Sequence, residues 1–234
     1  MSNRAVGLRI NGIVVPPDFP REPFELIHEV LTSISADQPA YLHFSGAWGA
    51  VAYRYRGAVE SGEEFLVSLD AHGSSPKPEE RFIQEKALFE FFSSGFSVFE
   101  ASFYAAFAIG AIVAPDMFPI AAETDQQRIS PTTTKAAFRR AFMGDSILEM
   151  FDGIFNDPRY QQWREIRNVL THRSAPGRRF YVSIGSDDAP PTAWSLKNLP
   201  LNAALVSSER TELSRLLRTF TDGLATFVTS KLKN

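Results

Sequence analysis

The chain has 234 residues and no cysteine, it carries a net charge of −3, and 44% of its residues are hydrophobic. This composition is that of a globular protein, and the length allows one large domain or two small ones. The lack of cysteine excludes disulfide bonds and thiolate metal sites. Because the overall charge is acidic, general binding to nucleic acid is excluded, and any site for a polyanion must be local.

The amino-terminal part is predicted to contain a small hairpin and then helices. Asn11-Gly12 stands between short apolar runs and favours a type I′ turn. Residues 22–34 have apolar side chains at helical spacing. Those expected on the buried face are Phe24, Ile27, Val30, Leu31 and Ile34. A second helix is predicted from residue 39 to about residue 70, although several glycines interrupt it.

A long apolar helix is predicted from about residue 80 to residue 114, after a linker at 71–80. Its phenylalanines step by three or four and would form one stripe. They are Phe89, Phe92, Phe96, Phe99, Phe103 and Phe107. Residues 89–113 are also the one candidate membrane span, but they include Glu90 and Glu100, and a charge near the centre of a span costs about 2.5–3.5 kcal/mol. We therefore expect a core helix of a cytoplasmic protein, with no secretory signal and no membrane partner.

Two further helices are predicted, because a polar residue followed by proline is a typical helix start and occurs twice. Ser130-Pro131 predicts a helix that runs to about Gly153. Asp157-Pro158 predicts a second helix, which ends near residue 172. We refer to this second helix as the motif helix.

The carboxy-terminal part is predicted to end in one more long helix, over residues 208–231, where leucines and phenylalanines recur at helical spacing. Residues 180–184 could form a short strand. Long helices joined by modest loops give an all-α helical bundle. We predict a single domain over 1–234, in which residues 1–78 hold the hairpin and first helices and residues 79–234 form the core of the bundle.

Arginine is concentrated at the end of the motif helix, in the stretch WREIRNVLTHRSAPGRR at 163–179. Around Arg167 and His172 stand the arginines that we predict to bind substrate, which are Arg164, Arg173, Arg178 and Arg179. Glu165 is the one acidic residue in this stretch. Such a patch attracts phosphate within about a Debye length, roughly 8 Å at physiological salt. The outer arginines could equally be an ordinary solvated surface.

Residues 167–172, RNVLTH, resemble the signature of the HEPN superfamily, in which Arg, a polar residue and then His stand near the end of a helix. The order of helices over residues 80–232 is also similar to that family. Its members include RNA-cutting toxins, antiviral effectors, nucleotide-handling proteins and proteins without known catalysis. The resemblance implies metal-independent RNA cleavage, with Arg167, Asn168 and His172 as catalytic residues, no cofactor, and a toxin or defence role in which an antitoxin would be a further partner.

These residue types suit cleavage of RNA by its own 2′-hydroxyl. Imidazole titrates near neutral pH and can transfer protons, whereas guanidinium stays charged and binds phosphate through two hydrogen bonds. One histidine cannot easily be both acid and base. Arg167 and His172 are also about 140° apart around the helix, since each residue turns it by about 100°. A second copy at a two-fold axis would supply the missing groups, and the resemblance likewise implies a homodimer.

Other interpretations of the motif remain open. Arg167 and His172 could simply stabilise the negative end of the helix dipole, by about 0.3–1 kcal/mol each. The protein could also be a non-catalytic module that binds a nucleotide or RNA, or a structural dimerisation domain. The four histidines, His28, His43, His72 and His172, are scattered without metal-ligand spacing, so no metal is predicted.

Glu100 is a further candidate, in a supporting role. It lies in the middle of the phenylalanine stripe, and a buried carboxylate must be paired or protonated. We expect Glu100 to be buried and to contact a basic or hydroxyl partner. It could orient Arg167 or His172, or it could form a purely structural salt bridge.

Overall fold

The computed structural model confirms the predicted all-α helical bundle with a small β-hairpin at its amino terminus. It describes residues 9–10, 12–172, 177–179, 193–196 and 199–233. In chain order the elements are β1 (Arg9–Ile10), β2 (Ile13–Val14), α1 (Arg21–Ser35), α2 (Pro39–His72), α3 (Pro78–Val113), a single 3-10 turn (Pro115–Met117), α4 (Glu123–Gln126), α5 (Pro131–Ala141), α6 (Ile147–Asn156), α7 (Pro158–His172), β3 (Gly177–Arg179), β4 (Ala193–Leu196), β5 (Leu199–Pro200) and α8 (Ala203–Leu232).

Helices α2 and α3 form a long hairpin at the centre of the bundle. Gly73 follows α2 with φ +65°, a left-handed conformation that favours glycine and stops the helix. Pro78 then begins α3 at the first helical position, where its missing N–H costs nothing. The predicted linker between α2 and α3 is therefore confirmed. It is shorter than the expected residues 71–80, because both helices extend into that range.

Helix α3 is the core of the bundle, since α2, α5, α7 and α8 all pack against it. Most of the predicted stripe is buried, as Phe92, Phe96, Phe99, Phe103 and Phe107 show. The expectation for Phe89 is wrong, because 39% of it is exposed. At this end of α3 the buried face passes through Ala87 and Leu88 instead, so the spacing identifies an apolar helix but not the exact line along which its neighbours pack.

The amino-terminal elements pack as the sequence predicts, with one exception. Strands β1 and β2 pair antiparallel, and Gly12 in the turn has φ +81°. Helix α1 buries most of its predicted face against α2 and α8. Ile34 was expected on that face but is 42% exposed, because Ser35, four residues after the buried Leu31, takes the buried position in the last turn.

The helix predicted from Pro131 to about Gly153 is wrong as a continuous element, because the chain forms two helices there, α5 and α6. The first helix ends at Ala141, where Phe142 leaves the helical conformation with φ −131°, and Gly144 then turns the chain between the two helices with φ +83°. The Asp145 carboxylate then accepts a 3.0 Å hydrogen bond from the Ile147 N–H at the start of α6. The predicted start of α5 is confirmed, since Ser130 and Thr133 form a reciprocal capping box.

The motif helix is α7, and it ends at His172 as predicted. Beyond it, strands β3, β4 and β5 form an antiparallel sheet in the order of the chain. The strand predicted at 180–184 lies outside the described residues. Helix α8 starts five residues earlier than the 208 expected, because Asn202 caps it by accepting a 2.9 Å hydrogen bond from the Leu205 N–H.

By length and composition, α3 could cross a membrane. Its most apolar window of 18 residues has a mean hydropathy of 1.7, and 72% of that window is buried inside the fold. Among the described residues it is the one helix with this property. The central helix of a soluble protein meets the same criterion, and the burial of α3 by its neighbours agrees with such a core role.

Candidate functional site

The motif helix α7 is held in place by two buried aromatic residues. Trp163 packs against the rings of Phe91 and Phe92, with centroids 5.0 and 4.9 Å away, and Tyr160 packs 5.3 Å from Phe99. Both Trp163 and Tyr160 are fully buried, so they belong to the core. Burial raises the pKa of Tyr160 to about 12, so its hydroxyl stays protonated at neutral pH.

Gly95 allows this close approach of α3 and α7. A Cβ added to Gly95 would lie 2.6 Å from a ring carbon of Trp163, which is closer than carbon atoms can approach. The indole therefore occupies the space that a side chain on α3 would take. This packing sets the position of every residue on the motif helix relative to α3.

A polar cluster fixes the start of α7 against α8. The Glu209 carboxylate is fully buried and accepts hydrogen bonds from Arg159, at 2.7 Å, and from Gln162, at 2.9 Å. Burial raises the pKa of Glu209, although Arg159 opposes that shift. At the helix start, Asp157 accepts a 2.8 Å hydrogen bond from the Arg159 N–H and a 2.7 Å bond from Arg215. Asp157 was named from the sequence as the helix start, but Glu209 and its partners were not singled out, because Glu209 is about fifty residues from Arg159 and Gln162 along the chain.

Arg167 points toward α3 rather than into open solvent. It forms an ion pair with Glu100, and its guanidinium carbon lies 4.6 Å from the centroid of the Phe96 ring. Its Nε is buried and has no hydrogen-bond partner among the described residues. Only 20% of the Arg167 side chain is exposed. It is therefore part of the α3–α7 packing as well as a candidate for binding phosphate.

The expectation for Glu100 is half right. Its contact with a basic and a hydroxyl group is confirmed, since it pairs with Arg167 and accepts a 3.2 Å hydrogen bond from the Ser97 hydroxyl. The expectation that it is buried is wrong, because 39% of its side chain is exposed. Glu100 lies at the edge of the α3–α7 interface, so one side of its carboxylate faces solvent.

His172 and Asn168 lie on a different side of α7 from Arg167. His172 is exposed, and Asn168 is half-buried. Residues four apart on a helix are offset by only about 40°, so Arg164, Asn168 and His172 form one outward row. The structure therefore brings Arg167 together with Glu100 but does not bring Arg167 together with His172 within one chain. Among the described residues, Asn168 has no side-chain hydrogen-bond partner that would fix its role.

The predicted substrate-binding arginines are described to different extents. Arg164 is exposed on α7 and lies in the outward row. The backbone of Arg178 and Arg179 lies in β3, where Arg178 pairs with Trp194 of β4. The side chains of these two arginines, and Arg173 as a whole, lie outside the described residues. The arginine patch thus stays a prediction, with Arg164 as its one described side chain.

Sequence reasoning missed a groove that borders Glu100. It lies between α2, α3 and the start of α5, and Arg54 and Tyr104 supply polar groups to it. The hydroxyl of Tyr104 is 3.2 Å from Nδ1 of His43, so a second histidine lies beside this groove. No local motif marks these residues, because they come together only when α2 and α3 pair. Glycine and alanine at helical spacing, at Gly46 and Ala50, were the available signal.

Within the described part of the chain, no three His, Asp or Glu side chains are grouped so that they could hold a metal ion. The chemistry available at α7 is therefore that of a guanidinium, an amide and an imidazole. Comparison with known proteins adds no further constraint, since no family model matches the sequence and no curated protein or solved structure is similar to it.

Proposed function

We propose that the protein cleaves RNA without a metal ion, at a site composed of Arg167, Asn168 and His172 from two copies of the chain. One observation carries this proposal: Arg167 is fixed by Glu100 and Phe96 on the same short helix whose last residue is the exposed His172. A guanidinium with a fixed position and an imidazole free to meet a substrate are the two groups that the reaction needs.

The proposed reaction is a transfer within the RNA strand. A base removes the proton of the 2′-hydroxyl, whose oxygen attacks the neighbouring phosphorus, and an acid protonates the 5′-oxygen as its bond to phosphorus breaks. The products are a 2′,3′-cyclic phosphate and a 5′-hydroxyl. Arg167 would stabilise the charge on the phosphorane, and His172 would transfer protons. Asn168 would hold a phosphate oxygen or orient His172.

The composite site predicts a homodimer in which α7 lies at or beside a two-fold axis. Arg167 and His172 face different directions in one chain, so a second chain must bring its own His172 toward the first Arg167. We expect light scattering to give the mass of a dimer at micromolar concentration. A monomer at that concentration would remove the composite site from the proposal.

The substrate and the chemistry can be tested on the unmodified protein. We expect it to cleave single-stranded RNA, to leave DNA of the same sequence intact because DNA has no 2′-hydroxyl, and to be insensitive to EDTA. Mass spectrometry of the fragments should show 2′,3′-cyclic phosphate ends. Cleavage of DNA, loss of cleavage in EDTA, or ends that carry a 5′-phosphate would each contradict this mechanism.

A second candidate function is binding of a nucleotide or RNA without cleavage. The ion pair with Glu100 favours it, because a neutralised Arg167 has less charge to offer a phosphorane. Binding of RNA or a nucleotide by the wild-type protein, without cleavage, would support this candidate. A purely structural dimerisation domain would show neither binding nor cleavage. A role as toxin or defence effector in the cytoplasm, and an antitoxin partner, belong to the first candidate alone.

A further inference from the structure

The groove that borders Glu100 has the size and shape of a ligand site. Its volume is about 510 Å³, within the roughly 300–1,000 Å³ typical of small-molecule sites. It is formed by one face of α2, one face of α3 and the residues that begin α5. The lining residues that decide its chemistry are Gly46, Ala50, Arg54, Glu100, Ala101 and Tyr104.

Small side chains create the space. Gly46 and Ala50 stand four residues apart on α2, so they lie on the same face of that helix, and Ala101 faces them from α3. A Cβ added to Gly46 would meet no atom within 4 Å. The groove is therefore open at this position, with an apolar wall against which the body of a ligand can lie.

Arg54 supplies a cation whose hydrogen-bonding capacity is mostly unused. One of its five N–H groups donates to the Ser97 carbonyl at 3.0 Å. Among the described residues, no carboxylate oxygen lies within 4.0 Å of its guanidinium. Glu100 also lines the groove, but Arg167 pairs with it from the other side. The groove therefore carries one uncompensated positive charge.

Tyr104 forms the polar end of the opposite wall. Its hydroxyl contacts Nδ1 of His43, and burial raises the pKa of the phenol, so the hydroxyl stays neutral and available as a donor or acceptor. A ligand between Arg54 and Tyr104 thus contacts a guanidinium group, an apolar wall and one neutral hydroxyl.

We propose that this groove binds a small organic monocarboxylate with an apolar body. The carboxylate accepts two parallel hydrogen bonds from Arg54, because the planar guanidinium matches the geometry of a carboxylate. The apolar body of the ligand lies along the wall formed by Gly46, Ala50 and Ala101. A single cation beside the Glu100 carboxylate suits a monoanion better than a phosphate dianion. This proposal does not rest on RNA cleavage, since none of these residues except Glu100 belongs to the proposed catalytic site.

The test uses benzoate as the probe, with calorimetry and NMR shifts of the full-length protein as the readout. Benzamide has the same shape without the charge, acetate has the charge without the apolar body, and inorganic phosphate carries the alternative anion. We expect saturable binding of benzoate at millimolar concentration and weaker binding of the other three. Benzamide or phosphate binding as tightly as benzoate, or no saturable binding of benzoate, would overturn the proposal.

Variants locate the site. Gly46→Phe fills the groove and should abolish benzoate binding, whereas Gly153→Phe, at another helical glycine whose added Cβ meets nothing within 4 Å, should leave it unchanged. Arg54→Gln should weaken binding by about tenfold or more, the effect of losing a charge-assisted hydrogen bond. Arg54→Lys keeps the charge and should lose less. Equal affinity in wild type and Gly46→Phe, with both folded by circular dichroism, would place benzoate elsewhere and refute the assignment.

Discussion

Replacing His172 with alanine is expected to lower the rate of RNA cleavage by about 10²–10⁴, the loss typical of removing a general acid or base. His172 is exposed and is the last residue of α7, so its removal leaves no cavity and no buried group without a partner. The melting temperature should therefore change little. Single-turnover cleavage of one labelled RNA by wild type and variant measures the effect.

A matched control separates catalysis from the helix dipole. His72 is also exposed and is also the last residue of a helix, α2, so His72→Ala removes an imidazole from an equivalent position at a helix end. If His172 only stabilises its helix, the two variants should cleave RNA equally and each lose about 0.3–1 kcal/mol of stability. Cleavage by His172→Ala at the wild-type rate would end the catalytic assignment.

Arg167 is a poorer first target than the sequence suggested. If Arg167 only bound phosphate, Arg167→Ala would remove that binding and leave the fold intact. In the structure that change would also leave Glu100 without its cation and remove the packing on Phe96. A loss of activity in Arg167→Ala could therefore come from the missing catalytic group or from a displaced α7. The variant alone does not distinguish these two causes.

The helix starts were predictable where a local interaction determines them. Ser130-Pro131 and Asp157-Pro158 act within four residues, and both helices begin there. The break between α5 and α6 had a local signal too, in Gly144 and Asp145, but the apolar spacing continues across it and concealed it. Periodicity records which side chains are buried, and two helices that bury the same face can produce one unbroken pattern.

The site was less predictable, because its contacts join residues that are far apart in the chain. Arg167 was named for its motif and Glu100 for its place in an apolar stripe, but their ion pair spans 67 residues. The Arg54 groove depends on how α2 and α3 align, which no short motif encodes. Sequence patterns assign a residue to a helix face, whereas the pairing of two faces depends on packing along their whole length.

A large effect on stability is expected at the packing between α3 and α7, which positions the motif helix. Gly95→Ala is expected to destabilise the fold by about 1–3 kcal/mol, the usual cost of adding volume to a well-packed core. The new methyl would overlap the Trp163 ring, which cannot withdraw because it is fully buried between Phe91 and Phe92. Urea unfolding of wild type and variant measures the change.

Gly46→Ala is the matched control, since it makes the same substitution in the interior of the neighbouring long helix. An added Cβ there meets nothing within 4 Å, so the change should stabilise the protein by about 0.5–1 kcal/mol through the lower backbone entropy of alanine. The same substitution is thus expected to have opposite signs on α3 and α2. If Gly95→Ala also raises the free energy of unfolding, then Trp163 does not fill the space above Gly95, and the motif helix must pack against α3 in a different position.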